Sequence, residues 1–396
     1  MSTYDFDTVI DRRGTGSLKW DHRPAGYNQV IPLSLADMDF PAPHEVTEAL
    51  AQRVAHGIYG YTAMGDRDYE AILSWIKMRH QLTVPREWLL PTPGVIYAMR
   101  AAQHVLTRPG DQVVVMPPVH TPFFVTASRF GRQLITCPLH CDTEGTYTMD
   151  LNRLEACFAA GARLLMICSP QNPIGRVWTR EELTQLAALC LRYQAYIISD
   201  EIHRDIMMPG SVFTSLDAIP GLAERTFAVF SPSKTFNMGG FHTATAVIPD
   251  PDIRAAVRQR LSDFGHSCGR PTLFSIVAQT AAYTHGGPWL DALIHYLDGN
   301  FNLMLDMIAD TPLKAHKPDA TYMFWVDCSA LGLKTDQFSS LLLDKAGVQA
   351  ELGHLYDSAD YQTYKGPQTH MRLNAAMPRS LLSQAMEGIR RAVRAR

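Results

Sequence analysis

The sequence has 396 residues, of which 46% are hydrophobic and 19% charged, and its formal net charge at neutral pH is −3. That length suggests two or three units at roughly one domain per 150 residues, and the composition is that of an ordinary globular protein rather than a disordered or fibrous one. No basic domain or Lys/Arg block stands out, which argues against nucleic acid as a partner, and seven scattered cysteines lack the density of a disulfide framework, so reduced thiols are expected.

The first residues, "MSTYDFDTVIDRRGTG", are polar and acidic where a secretory signal has a basic start and an apolar core, so a cytoplasmic location is expected. No apolar run approaches the roughly 20 residues of a membrane-spanning helix. A strand-like "WLL" leads into "TPGVIYAM", residues 92–99, which opens a helical pattern. The free amides of Gly94, Val95 and Ile96 could cradle a phosphate there with the helix dipole behind them, and an ordinary strand-to-helix turn would read the same way. From about residue 88 to 250, short β-rich apolar runs alternate with helical patterns, which is the arrangement of parallel strands joined by helical crossovers. "DQVVVMPP", "RLLMICSP", "AYIISDE" and "TFAVFS" are continuous apolar runs suited to burial on both faces. Between the first two, "CPLHC" brings together Cys137, His140 and Cys141, residue types that suit zinc. It lacks a second ligand pair at finger-like spacing and reads partly as a strand, so no metal is expected. "TREEL" marks a crossover helix, with Thr179 as cap and Glu182 at the return position of a capping box.

Ligands of open α/β sheets collect outside the carboxyl ends of the strands. Asn172, in "CSPQNPIG", follows one such end: Asn-Pro favours a turn, and the amide is also a donor to a phenolic oxygen or a substrate carboxylate. Asp200 ends "AYIISDE", where a carboxylate is costly to bury without a cation such as a pyridinium N–H, although a helix-capping aspartate fits equally well. "SPSKTFNMGG", residues 231–240, follows another strand. Most lysines in such a turn are solvated; a lysine that bonds covalently to a carbonyl cofactor must be held at a strand end with its pKa lowered. Ser231 and Ser233 offer hydroxyls to a phosphate, and Gly239 and Gly240 would let the backbone approach closely. Residues 288–310 repeat apolar positions at three and four residue intervals and predict one long linking helix. Beyond it, "TYMFWVDCSA", "HMRLNAAM" and "RSLLSQAMEGIRRAVRAR" form a smaller α+β unit that the N-terminal segment could join. Arg372 suits a carboxylate bidentately, though in isolation it reads as a surface salt-bridge residue. There is no internal repeat and no low-complexity tract.

Together these motifs resemble the pyridoxal 5′-phosphate (PLP) enzymes of fold type I, the aspartate aminotransferase-like superfamily, and within it the MalY/PatB branch of cystathionine β-lyases and related C–S lyases. The resemblance covers nearly the whole chain, through "FDTVIDRRGTGSLKWD", "LADMDFPAPHEVTEAL", "YGYT", "CSPQNPIGRVWTREEL", "SDEIHRD", "SPSKTFNMGG", "WLDALIHYLDGN" and "MRLNAAMPRS". It implies an α/β large domain at 46–287, with a mostly parallel seven-stranded sheet covered by helices. A smaller α+β domain would be built from both termini, with 1–45 joining the linking helix and small domain at 288–396. By resemblance Lys234 carries the cofactor, Asp200 partners the pyridine nitrogen, and Asn172 donates to the ring oxygen. Gly94, Val95, Ile96, Ser231 and Ser233 would hold the phosphate, while Arg372, Asn172 and Ala36 would bind the substrate. Tyr61 resembles the tyrosine that crosses a homodimer interface to the neighbouring phosphate, and His203 stands where aminotransferases have a tyrosine on the ring oxygen.

The implied reaction is α,β-elimination of cystathionine or a related cysteine thioether to a thiol, pyruvate and ammonia, with Lys234, Asp200 and His120 as catalytic residues. A PLP-dependent aminotransferase, or a regulatory or partner-binding protein that retains PLP, is the alternative. Two stretches depart from the branch. "PPVHTPFF" places His120 where a tyrosine usually stacks on the pyridine ring; an imidazole can stack, and with an unperturbed pKa of roughly 6.5 it could also donate a proton to the leaving group, or it could only pack. "AGVQAELGHLYDSADYQTYKGPQTHMRLN", including residues 349–370, lacks the usual Pro-Gly turn and Phe-Gly pair, which leaves the exact substrate open.

Overall fold

The computed structural model describes residues 4–263, 269–357 and 367–395. The apolar runs lie side by side in a seven-stranded sheet. In chain order its strands are β1 (Leu89–Thr92), β2 (Gln112–Val115), β3 (Gln133–Thr136), β4 (Leu164–Cys168), β5 (Tyr196–Asp200), β6 (Thr226–Phe230) and β7 (Ala244–Val247), arranged β1-β7-β6-β5-β4-β2-β3. The neighbours from β6 to β3 pair in parallel, and β7 alone runs against both of its neighbours. The expectation of a mostly parallel seven-stranded sheet holds. Cys168 lies opposite Asp200, and Asp200 opposite Val229, so the segments that leave β4, β5 and β6 emerge at one edge.

Strand side chains alternate between two apolar layers, as a period of two requires. Val113, Val115, Leu164 and Met166 enter one layer, and Val114, Leu165 and Ile167 enter the other. Because both layers are buried, these strands read as unbroken apolar runs. Helix α1 (Val95–Leu106) covers one face with the small residues Ala98, Ala101 and Ala102, and α2 (Arg180–Arg192) covers the other with Leu183, Leu186 and Leu189. The capping box that starts α2 is complete: the Glu182 N–H donates to Thr179 Oγ1 at 3.1 Å, and the Thr179 N–H donates to Glu182 Oε2 at 2.7 Å.

The linking helix α3 spans Gly287–Ile308, close to the expected 288–310. It leads to a four-stranded antiparallel sheet of β8 (Lys314–Ala315), β9 (Met323–Asp327), β10 (Glu351–Leu352) and β11 (His370–Asn374), in the order β8-β9-β11-β10, followed by helix α4 (Arg379–Arg394). A third apolar cluster joins Trp75, Phe236, Trp289, Phe301 and Met386, drawn from both parts of the chain. Near the start, Ile31–Pro32 pairs in parallel with Val348–Gln349, bringing the N-terminal segment to β10.

Candidate active site

A cavity of about 350 Å³ opens at the carboxyl edge of the parallel strands. Lys234 enters it from the turn after β6, Asp200 from the end of β5, and Asn172 from the loop after β4. His120, Ala36, His203, Gly94, Val95, Ile96, Ser231 and Ser233 also line it. The expected residues of one chain therefore meet, with two qualifications: Arg372 reaches the cavity through Asn172, and Tyr61 is fully exposed and does not line the cavity of its own chain.

Burial lowers the Lys234 amine from an ordinary 10.5 to about 8; Arg372 adds to the fall, and the carboxylates of Asp37, Asp200 and Glu351 oppose it. An amine poised there is nucleophilic in neutral solution. Its Nζ donates to the carbonyl oxygen of Ala36, which also accepts from the Tyr322 hydroxyl at 3.0 Å. That carbonyl is held in place by its flanks. Asn374 Nδ2 donates to the carbonyls of Leu35 (2.8 Å) and Asp37 (2.6 Å), and Asn237 binds the backbone of Met38 on both sides. Beneath them Asp39 accepts from Lys19 Nζ at 2.7 Å, from Trp20 Nε1 at 2.8 Å and from Arg12 at 2.7 Å. This gives the "FDTVIDRRGTGSLKWD" motif its purpose: it braces the segment that carries Ala36.

Asp200 is buried, and burial raises its carboxyl to about 7 against the pull of the Ile202 N–H, 3.1 Å away, and of Lys234. A cation beside it would restore its charge. His203 is buried with its Nδ1 unpartnered among the described residues, edge-on to Tyr322 at 5.8 Å. Burial, with Lys234, His120 and Arg372, keeps its imidazole neutral.

The sequence leaves His120 between an acid and a packing role, and its burial favours the second. Burial, then Arg372 and Lys234, lower its imidazole to about 3, so in neutral solution the ring carries no imidazolium proton for a leaving group. The neutral ring lines the cavity. Two other expectations change in detail. The Ser231 hydroxyl is committed, accepting from the Ser233 N–H at 3.1 Å and donating to the Thr243 carbonyl at 2.5 Å, and it also lies 2.9 Å from the Ser233 hydroxyl, which ties the two together. A Cβ at Gly239 or Gly240 would meet no protein atom within 4 Å, so no close backbone approach within the described chain demands either glycine.

Arg372 is not a surface residue; it is 2% exposed. Its Nη1 donates to Asn172 Oδ1 at 3.1 Å, its Nη2 to the Ser34 carbonyl at 2.7 Å, and Nη2 also pairs with the Glu351 carboxylate. The Asn172 carbonyl oxygen faces Arg372, which leaves its NH₂ for the cavity. Of the atypical stretch 349–370, residues 358–366 lie outside the described residues. Cys137 is buried, whereas His140 and Cys141 are exposed on a two-residue strand, and among the described residues no group of three His, Cys, Asp or Glu side chains is placed to hold a metal.

Sequence reasoning passed over Tyr97, His242, Tyr322 and Glu351. Tyr97 was legible, standing three residues after Gly94 in the first turn of α1, and His242 had a weaker signal in its turn with φ +45°. Tyr322 and Glu351 carry no local signal, because their partners are brought by the small sheet.

The residues present fit a pyridine ring that bears an aldehyde and a phosphate. An amine near pKa 8, a buried carboxylate that lacks a cation, an unpartnered His203 Nδ1 and a free Asn172 amide meet in one cavity. The first N–H groups of α1, which no helix satisfies internally, are donors suited to an anion at the same cavity.

The family described as aminotransferase class I and II matches residues 28–389. The chain is similar to cystathionine beta-lyase PatB of Bacillus subtilis, with 37% identity over 98% of this chain and 100% of that protein. Among solved structures it resembles cystalysin from Treponema denticola, which contains pyridoxal 5′-phosphate, at a TM-score of 0.93 and 32% identity over 99% of each chain. It also resembles the PLP-bound C–S lyase of Staphylococcus hominis, at a TM-score of 0.89 and 28% identity over 99% of this chain and 98% of that one.

Proposed function

The chain belongs to the aminotransferase class I and II family, and from that membership we propose that it is a PLP-dependent carbon–sulfur β-lyase, which splits cystathionine or a related cysteine thioether into a thiol, pyruvate and ammonia. The observation that carries this reading is the meeting of Lys234, with its amine near 8, and the buried Asp200 in one cavity, in a chain whose full-length relatives are named for that reaction.

Each residue then has work to do. Arg372 and the Asn172 amide hold the substrate α-carboxylate, which fixes the Cα–H bond toward Lys234. The Lys234 amine removes the α-proton. PLP bound in the cavity supplies an electron sink for the pair left on the α-carbon. Asp200 would hold a proton on the ring nitrogen of the cofactor, and His203 Nδ1 and the Asn172 amide would hold its ring oxygen. The Cβ–S bond breaks with that pair, the thiolate departs, and the three-carbon enamine hydrolyses to pyruvate and ammonia. His120 would contribute a neutral ring beside the cofactor.

The exposed Tyr61 supports a homodimer in which it reaches the neighbouring subunit's phosphate. The pairing of Ile31–Pro32 with Val348–Gln349 supports assigning residues 1–45 to the small domain with 288–396, leaving 46–287 as the large domain. The described residues hold no helix long and apolar enough to cross a membrane, which agrees with a cytoplasmic enzyme. A panel of cysteine thioethers, including cystathionine, cystine and S-alkyl cysteines, assayed for pyruvate and thiol with the PLP-loaded protein, tests the reading. Pyruvate and thiol in equal amounts support it, and the absence of both across the panel refutes it.

A further inference from the structure

Arg372 carries a carboxylate of its own. Glu351 on β10 stands directly opposite Arg372 on β11, so the two side chains share one face of the small sheet. The Glu351 oxygen Oε2 is held twice, by Arg372 Nη2 and by the Tyr356 hydroxyl. Its other oxygen, Oε1, has no partner among the described residues, and the side chain remains 27% exposed.

The surroundings fix this carboxylate beside the cavity. Tyr356 is buried, edge-on to Trp325 at 5.4 Å, and Trp325 Nε1 donates to the Tyr147 hydroxyl at 3.2 Å. The backbone of the same turn is tied to both neighbours of His120: the Val119 N–H donates to the Tyr356 carbonyl at 3.2 Å, and the Thr121 hydroxyl to the Leu355 carbonyl at 2.6 Å. Glu351 is therefore anchored next to the His120 side of the cavity, and its charge is felt by Lys234.

Once a substrate α-carboxylate also faces Arg372, one guanidinium serves two carboxylates, and the group is left with an excess negative charge. A positive group on the rest of the substrate would balance it, and Oε1, without a partner among the described residues, offers an acceptor for that group's N–H. We propose that Glu351 makes the site selective for cysteine thioethers whose sulfur-borne arm carries an amine cation. This inference rests on the elimination reading above, and it names the substrate class of the same site.

The test compares near-isosteric substrates with the PLP-loaded protein. Pyruvate formation from S-(2-aminoethyl)-L-cysteine and from S-propyl-L-cysteine gives a ratio of kcat/KM values. The wild type should favour the amine by about tenfold or more, the scale of a charge-assisted hydrogen bond, and Glu351→Gln should bring the ratio to within about twofold. Tyr356→Phe, which removes one anchor of Oε2, should lower the ratio in the same direction. A wild-type ratio near one, or an undiminished ratio in Glu351→Gln, overturns the inference while elimination itself stands. Pyruvate from neither substrate overturns the inference, and the thioether panel with cystathionine decides separately whether the elimination reading stands.

Discussion

Arg372 Nη1 and Asn172 Oδ1, 200 residues apart in the chain, lie 3.1 Å apart and join the small sheet to the loop after β4. The hydrogen bond occupies the Asn172 oxygen and leaves its amide donors free, and in the proposed reaction the guanidinium receives the substrate carboxylate. Lysine cannot reproduce that planar fork. Arg372→Lys should raise KM for a cysteine thioether by about 10- to 100-fold, with a smaller change in kcat, as loss of a binding contact predicts. A variant with unchanged KM would remove Arg372 from the carboxylate site.

The Lys234 amine, lowered to about 8, should govern how the cofactor-free protein takes up its aldehyde. Only the neutral amine attacks a carbonyl, so the rate of PLP incorporation should rise with pH through a midpoint near 8. The ordinary lysine midpoint is 10.5. Absorbance-monitored loading between pH 6 and 10 measures it, and Lys234→Ala should show no such incorporation.

Asp200 links pH to stability with a definite sign. Its folded carboxyl titrates near 7 and the ordinary group near 3.8, so between those values the folded protein binds more protons than the unfolded one. Its contribution is present below the lower value and is lost as pH rises through the upper. Cofactor-free Asp200→Asn lacks this loss, and its Tm should gain on that of the wild type as pH goes from 5 to 8. The same variant, loaded with PLP, should eliminate about two to four orders of magnitude more slowly, because asparagine cannot hold a proton on the ring nitrogen.

A neutral His120 predicts a negative result. Because its imidazole titrates near 3, replacing it with tyrosine should leave the limbs of the pH–rate profile between pH 5 and 9 where they are. A limb that disappears in His120→Tyr would restore its role as an acid.

The brace under Ala36 gives a stability prediction. Lys19 is 2% exposed and its charge is paired with Asp39. Asp39→Ala leaves that ammonium buried beside Asp37 alone, and breaking a buried pair by removing one partner costs about 3–5 kcal/mol. Urea unfolding of the variant should show a loss of that order.

The strands that position Asn172, Asp200 and Lys234 were legible because each is buried on both faces and so forms an unbroken apolar run. β3 and β7 were passed over. β3 has an exposed start and half-buried middle, and β7 is a four-residue strand, ATAV, with little beyond its valine to mark it. In the site, residues at strand ends could be found from the chain alone. The Glu351–Arg372 pair could not, since it depends on the register between β10 and β11, and the choice between acid and packing for His120 could not be made there because the strength of its burial is a property of the assembled cavity.

The central claim is elimination on this site, and a single turnover of L-cystathionine by excess PLP-loaded protein tests it most directly. Quenched samples are analysed for thiol, pyruvate and the form of the cofactor. One homocysteine and one pyruvate per substrate are expected, with the cofactor recovered in its aldehyde form. Accumulation of pyridoxamine phosphate and a 2-oxo acid that still carries the thioether, with no thiol released, would contradict it.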